Sequence, residues 1–184
     1  MAKHIQDIEK LIDGCLQQDR KAQYRLYELF APAMLGVCCR YAPTKEEAED
    51  IMIEGFASVF SSLSSFRHES SLPVWIRGIM VKTAINTFRA HKKFLMHDEI
   101  SEAQNMQTTS STGGDILTKL EAQQVLALVQ EMPEDWRIIF NLRIMEEYSF
   151  KEIAEELGRN ENTIRVYFQR ARAWLLNKIN EQEQ

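Results

Sequence analysis

Arg165, Gln169 and Arg170, with Asn162 and Val166, fall on one side of a helix if the chain turns at 100° per residue from Asn162 onward. Guanidinium and amide groups so placed suit hydrogen bonding to phosphates and base edges. A second set, Trp75, Ile79, Lys82, Asn86, Arg89 and Lys93, recurs at steps of four, three, four, three and four residues. A basic ribbon ending in a tryptophan can neutralise phosphates and stack on unpaired bases, the stacking worth roughly 1–3 kcal/mol per base. A third set is acidic. Glu47, Asp50, Glu54 and Ser61 share a helix side, with Ile53 and Ala57 beside them. That side reads either as a solvated face or as a docking face for a basic protein surface. His4, His68, His91 and His97 show no metal-ligand spacing with carboxylates, and no nucleophile motif or phosphate loop occurs. These residues predict no catalytic group, no metal and no cofactor.

The elements that must carry these sets are helices. Ser149 and Glu152 form a capping box, so a helix begins at about Phe150. Phe150, Ile153, Ala154 and Leu157 give it one apolar face, and Gly158 ends it. A second helix restarts near Asn162 and Thr163, with Ile164, Phe168, Ala171 and Leu175 as its buried stripe. A short helix, a glycine turn and a helix with a polar, basic outer side make a helix-turn-helix of the DNA-reading kind. The basic ribbon lies on a helix of about Leu72 to Phe94, capped by Ser71 with Pro73 in its first turn, whose other side is Val81, Ala84, Ile85 and Phe88. The acidic set lies on a helix of about Lys45 to Leu63 that buries Ala48, Ile51, Met52, Gly55, Val59 and Leu63. Residues 5–40 read as helical, with Ile5, Ile8, Leu11 and Ile12 and then Ala22, Leu26, Leu29 and Phe30 at the spacing of an apolar face. Pro133, Glu134 and Asp135 open a further helix, acids at its positive end, that packs Trp136, Ile139, Phe140 and Leu142.

The net charge of −5 looks wrong for a nucleic-acid binder until its distribution is read. Residues 1–95 sum to +2, residues 96–115 to −4 and residues 116–184 to −3. Two basic stretches, Ser70 to His97 and Arg159 to Lys178, stand in an acidic chain. The three cysteines, Cys15, Cys38 and Cys39, have neither the number nor the spacing for a disulfide framework or a zinc site, which fits a reducing cytoplasm. No run approaches membrane-spanning length, so no direct membrane insertion is expected. Residues 96–115 lack apolar periodicity and are rich in Ser, Thr, Gln and Gly, which predicts a flexible linker. The expected fold is all-α: two small helical domains, 1–95 and 116–184, joined by that linker, the C-terminal one a helix-turn-helix.

Three blocks in this order resemble the extracytoplasmic-function (ECF) sigma factors, the smallest group of bacterial RNA polymerase sigma subunits. AEDIMIEGFASVF, residues 48–60, is similar to the family's polymerase-binding helix. SFRHESSLPVWIRGIMVKTAINTFRAHKK, residues 65–93, is similar to its promoter-melting loop and −10-reading helix. Residues 132–175 resemble its −35-binding domain, and the linker resembles the segment that threads toward the RNA exit path.

The resemblance implies a role for each set. Asp50, Ile53, Glu54 and Ala57 would dock on the β′ clamp helices of core RNA polymerase, whose β flap would take the C-terminal domain. The loop from Phe66 through His68 and Ser70 to Ser71, with Trp75, would hold a base flipped from the melted non-template strand. Lys82, Asn86, Arg89, Lys92 and Lys93 would follow the −10 strand. Arg159, Glu161, Asn162, Thr163, Arg165, Val166, Gln169 and Arg170 would enter the −35 major groove. Promoter DNA, core polymerase and an anti-sigma factor are the implied partners. Lys82 stands where the family commonly has Asn, and Ile53 and Gly55 replace commoner Gln and Val. A polymerase-independent helix-turn-helix regulator is the alternative. It explains residues 116–175 and leaves the blocks at 48–93 without a task.

Overall fold

A computed structural model describes residues 2–95 and 122–182, with side chains described over 7–92 and 124–181. The elements are α1 (Ala2–Leu16), α2 (Arg20–Cys38), α3 (Lys45–Ser62), a 3-10 turn (Leu63–Ser65), α4 (Leu72–Leu95), α5 (Ala122–Glu131), α6 (Glu134–Ile144), α7 (Phe150–Leu157) and α8 (Glu161–Gln182). Among the described residues all regular structure is helical, as the all-α expectation requires. The expected linker, 96–115, and residues 116–121 of the expected C-terminal domain lie outside the described residues.

The helical region expected over 5–40 is divided into two helices, α1 and α2. Gln18 sits in the left-handed region (φ 61°), where the chain turns, and Asp19 caps the restart by accepting the Lys21 backbone N–H at 2.9 Å. Contacts divide the chain into two compact units, residues 1–38 with 45–84, and residues 39–44 with 85–184. In the first, α1 packs on α2 and α2 on α3. Leu26, Phe30 and Met34 of α2, Ile51, Phe56 and Val59 of α3, and Ile76 and Met80 of α4 are buried. Leu29, expected inward, is exposed instead. The Gly in place of the commoner Val has a steric reason: a Cβ on Gly55 would collide with the sulfur of Met80, which is itself fully buried.

In the second unit α6 and α7 pack on α8. Phe168 of α8 meets Phe140 at 6.3 Å and Phe150 at 5.4 Å between ring centroids. Helix α6 departs from its expected pattern. Ile139, Phe140 and Leu142 are buried as expected, but Trp136 is only half-buried, while Arg137 and Asn141 are 2% and 0% exposed. The Arg137 guanidinium and the Asn141 amide nitrogen find backbone carbonyls, as burial demands, while Asn141 Oδ1 is buried without a hydrogen-bond partner. Arg137 donates from Nε to the Tyr41 carbonyl at 2.9 Å, and from Nη1 to those of Gln130 and Met132 at 3.0 and 3.1 Å. Asn141 Nδ2 donates to the Arg40 carbonyl at 2.6 Å and the Arg137 carbonyl at 3.0 Å.

Candidate nucleic-acid interface

The helix-turn-helix is built by its local chemistry. The Glu152 backbone N–H donates to Ser149 Oγ at 3.2 Å, and the Ser149 backbone N–H donates to Glu152 Oε2 at 2.7 Å. Hydrogen bonding from the Ser149 hydroxyl, and then from its backbone, holds the Glu152 carboxyl below its ordinary value. Gly158 closes α7 in the left-handed conformation (φ 62°, ψ 36°), and the Arg159 N–H turns back onto the Ala154 carbonyl at 3.0 Å. Asn160 starts α8, its Oδ1 accepting the Asn162 backbone N–H at 2.8 Å. The helix thus begins at Glu161, one residue before the expected restart near Asn162 and Thr163, because Asn160 caps it.

Four of the expected contact residues of α8, Asn162, Arg165, Val166 and Gln169, are exposed along one side, while Glu161, Thr163 and Arg170 are half-buried. Val166, at 45% exposed, offers an apolar group where a thymine methyl could be met. Arg165 is held in place. Its Nε donates to Glu161 Oε1 at 3.1 Å, and its guanidinium lies 4.7 Å from the centre of the Phe150 ring. Arg170 is less outward than its helical position implied. Its Nε is buried without a hydrogen-bond partner, and its head lies 5.9 Å over Tyr167. Arg159 is half-buried and faces Asp135 across 2.7 Å.

The second surface follows α4 and the loop before it. Lys82, Asn86 and Arg89 are exposed, Lys92 is half-buried, and the Lys93 side chain lies outside the described residues. Trp75 is half-buried, with the Phe66 ring tilted against it at 5.3 Å and His68 a further 4.6 Å from Phe66. His68 takes a left-handed backbone (φ 58°), a strained choice for a residue other than glycine, and Ser70 beside it is exposed. The result is an aromatic cluster at the start of α4, with exposed Lys82, Asn86 and Arg89 further along the same helix.

On α3 the acidic side is outward: Asp50, Glu54, Ala57 and Ile53 are exposed, the last at 61%. Next to Ile53 lies a groove of about 550 Å³ between α2 and α3, lined by Tyr27, Ala31, Pro32, Leu35 and Met52. Residue spacing does not reveal it, because its lining comes from two helices that only the fold brings face to face. Among the described residues no cluster of His, Cys, Asp or Glu could hold a metal ion, and no helix is long and apolar enough to cross a membrane. Cys15 and Cys38 are buried and Cys39 is half-buried.

Two family models match this chain. Sigma-70 region 2 matches residues 26–94, and Sigma-70, region 4 matches residues 122–175. The chain is 27% identical over 187 residues to the ECF RNA polymerase sigma-E factor of Haemophilus influenzae, covering 97% of this chain and 98% of that protein. It is 26% identical over the same length to the protein of that name from Salmonella typhi, covering 97% of each. A solved structure, the sigma factor RpoE with the anti-sigma factor NepR from Bartonella quintana, aligns with a TM-score of 0.49 at 18% identity, covering 85% of this chain and 96% of that one. The region 2 and region 4 matches fall on the α4 ribbon and the helix-turn-helix in turn, and the curated relatives match from end to end: the chain belongs to the sigma-70 family, as an ECF sigma factor that recognises promoters for RNA polymerase.

Proposed function

We propose that residues 1–95 bind core polymerase and read and hold the melted −10 element, that 96–115 is a flexible tether, and that 116–184 reads the −35 element. One observation carries this reading: a single chain presents an outward basic and amide edge on α8, an outward basic ribbon with an aromatic loop on α4, and an outward acidic side on α3. On it, Asn162, Thr163, Arg165, Val166 and Gln169 meet base edges and phosphates in the major groove. Phe66, His68, Ser70 and Trp75 hold a base turned out of the melted strand. Lys82, Asn86, Arg89, Lys92 and Lys93 follow its backbone. Asp50, Ile53, Glu54 and Ala57 dock on the β′ clamp helices, and the β flap takes the C-terminal domain.

The chain then acts by binding and strand capture and is not itself an enzyme. Polymerase supplies the catalytic centre and magnesium. Holding a flipped base offsets an unpairing cost of about a few kcal/mol. Two modest DNA readers, set at one spacing by polymerase, gain from their high effective concentration. The net charge of −5 fits weak promoter binding by the chain alone. The same reading places the protein in the cytoplasm, with an anti-sigma factor as its negative partner. In vitro transcription tests it. Core polymerase with this protein should initiate from promoters with −35 and −10 elements. No start at any genomic promoter, with the same core active under another sigma factor, overturns the reading. A pull-down with core polymerase separates it from the polymerase-independent regulator.

A further inference from the structure

In the second unit one carboxylate holds two of the cations assigned to DNA. Asp135 Oδ2 lies 3.0 Å from Lys92 Nζ, and Asp135 Oδ1 lies 2.7 Å from Arg159 Nη2. All three side chains are about a quarter exposed, at 30%, 24% and 25% for Lys92, Asp135 and Arg159. Glu134 adds a second carboxylate, 3.8 Å from Lys92 and 3.7 Å from His91 Nδ1. The Phe88 ring lies under both cations, each 5.8 Å from its centroid. Asp135 Oδ1 is buried and has no aligned hydrogen-bond donor, so its attraction to Arg159 is a charge contact without a fixed bond direction. Such a contact exchanges readily for another oxyanion.

We propose that Asp135 is an internal stand-in for DNA phosphate, occupying Lys92 and Arg159 together, so that the chain outside polymerase binds nucleic acid less tightly than its exposed cations would allow. The inference rests on the reading of Lys92 and Arg159 as DNA contacts. The carboxylate and a phosphate compete for the same positive charge on the same two side chains, so Asp135 weakens the hold of either cation on the −10 or the −35 element.

The test uses the full chain without polymerase, and labelled mixed-sequence oligonucleotides, single-stranded and duplex, because phosphate contacts do not depend on sequence. Fluorescence anisotropy of Asp135→Asn should show binding about threefold to tenfold tighter than the unaltered chain, the scale set by two partly exposed ion pairs. Glu181→Gln, which removes the same charge at the far end of α8, controls for net charge and should tighten binding less. Lys92→Ala or Arg159→Ala should each reverse part of the gain in the Asp135→Asn background. If Asp135→Asn tightens no more than Glu181→Gln while the two alanine changes still weaken binding, the stand-in is overturned and the DNA reading survives. If the alanine changes alter nothing, both fall together. Zero-length carbodiimide coupling of the unaltered chain gives a readout independent of any variant's folding. A Lys92–Asp135 cross-linked peptide should appear for the free chain and diminish in the promoter-bound holoenzyme. Equal yield in both states overturns the proposal.

Discussion

The α8 edge and the α4 ribbon both turn cations outward, but they differ in what stands behind them. Behind α8 the scaffold is closed: a reciprocal capping box, a left-handed glycine and an asparagine cap fix both helix ends, and Phe168 is wedged between Phe140 and Phe150. Arg165 is pinned by Glu161 and Phe150 before any ligand arrives. Behind the start of α4 stands an open loop, with His68 in a strained conformation and three aromatic rings gathered loosely at 4.6 and 5.3 Å. A pre-set edge suits a duplex, whose groove has one shape. An adaptable aromatic loop suits a single strand, whose bases must be caught in whatever orientation melting leaves them. The two surfaces fit two states of the same promoter.

The strongest way to break this comparison is to remove the closed scaffold. Ile164 is fully buried beneath α8, and Ile164→Ala should cost the second unit about 2–5 kcal/mol. Promoters that need a −35 element should fail in run-off transcription, while holoenzyme binding to a single-stranded −10 oligonucleotide persists. Loss of both together would mean that the two surfaces do not work apart.

Trp75→Ala addresses the other side. Stacking is worth roughly 1–3 kcal/mol per base, so capture of single-stranded −10 DNA by the holoenzyme should weaken about tenfold or more. Open-complex formation, followed by permanganate reactivity of unpaired thymines, should fall in parallel. Retention of a −35 duplex should be unchanged, and a matching loss there would assign Trp75 to the fold alone.

Within α8, two arginines that look alike in sequence should part. Arg165 is exposed and pre-set, whereas Arg170 has a buried Nε and a head laid over Tyr167. Arg165→Ala should reduce −35-dependent initiation by about 1 kcal/mol or more of binding, with Tm unchanged. Arg170→Ala should lower Tm as well. Two variants equally stable and equally impaired would return Arg170 to the groove-facing set.

What the sequence disclosed follows the range of the interactions involved. Ser149, Glu152 and Gly158 act within one helical turn of their partners, so spacing alone revealed them. The outward sides of α3, α4 and α8 were legible because each is a helix-period pattern. Arg137 and Asn141 were not, since the carbonyls that satisfy them belong to Tyr41 and Arg40, about a hundred positions earlier. Asp135 was legible as an acid at a helix start but not as the partner of Lys92 and Arg159, which lie 43 positions before it and 24 after it. Leu29 and Trp136 followed an apolar period and yet are not buried, because a period names a face without saying how wide the neighbouring helix will cover it.

The smallest expected effect bears on whether pre-setting matters at all. Ser149→Ala removes the cap of α7 without touching the outward side of α8 and should lower Tm by about 4 °C. Its signature is in the pH dependence. The folded chain holds the Glu152 carboxyl below its ordinary value of 4.5, so Glu152 contributes stability that is present above that value and is lost as pH falls through the depressed folded value. Thermal melts of the unaltered chain should therefore lose this contribution on acidification below about 4.5, and Ser149→Ala should flatten that part of the profile. At neutral pH the variant should use a −35 element less well than a −10 strand. If the looser α7 leaves −35 use untouched, a rigid edge is not what the duplex requires, and the contrast between the two surfaces is one of chemistry alone.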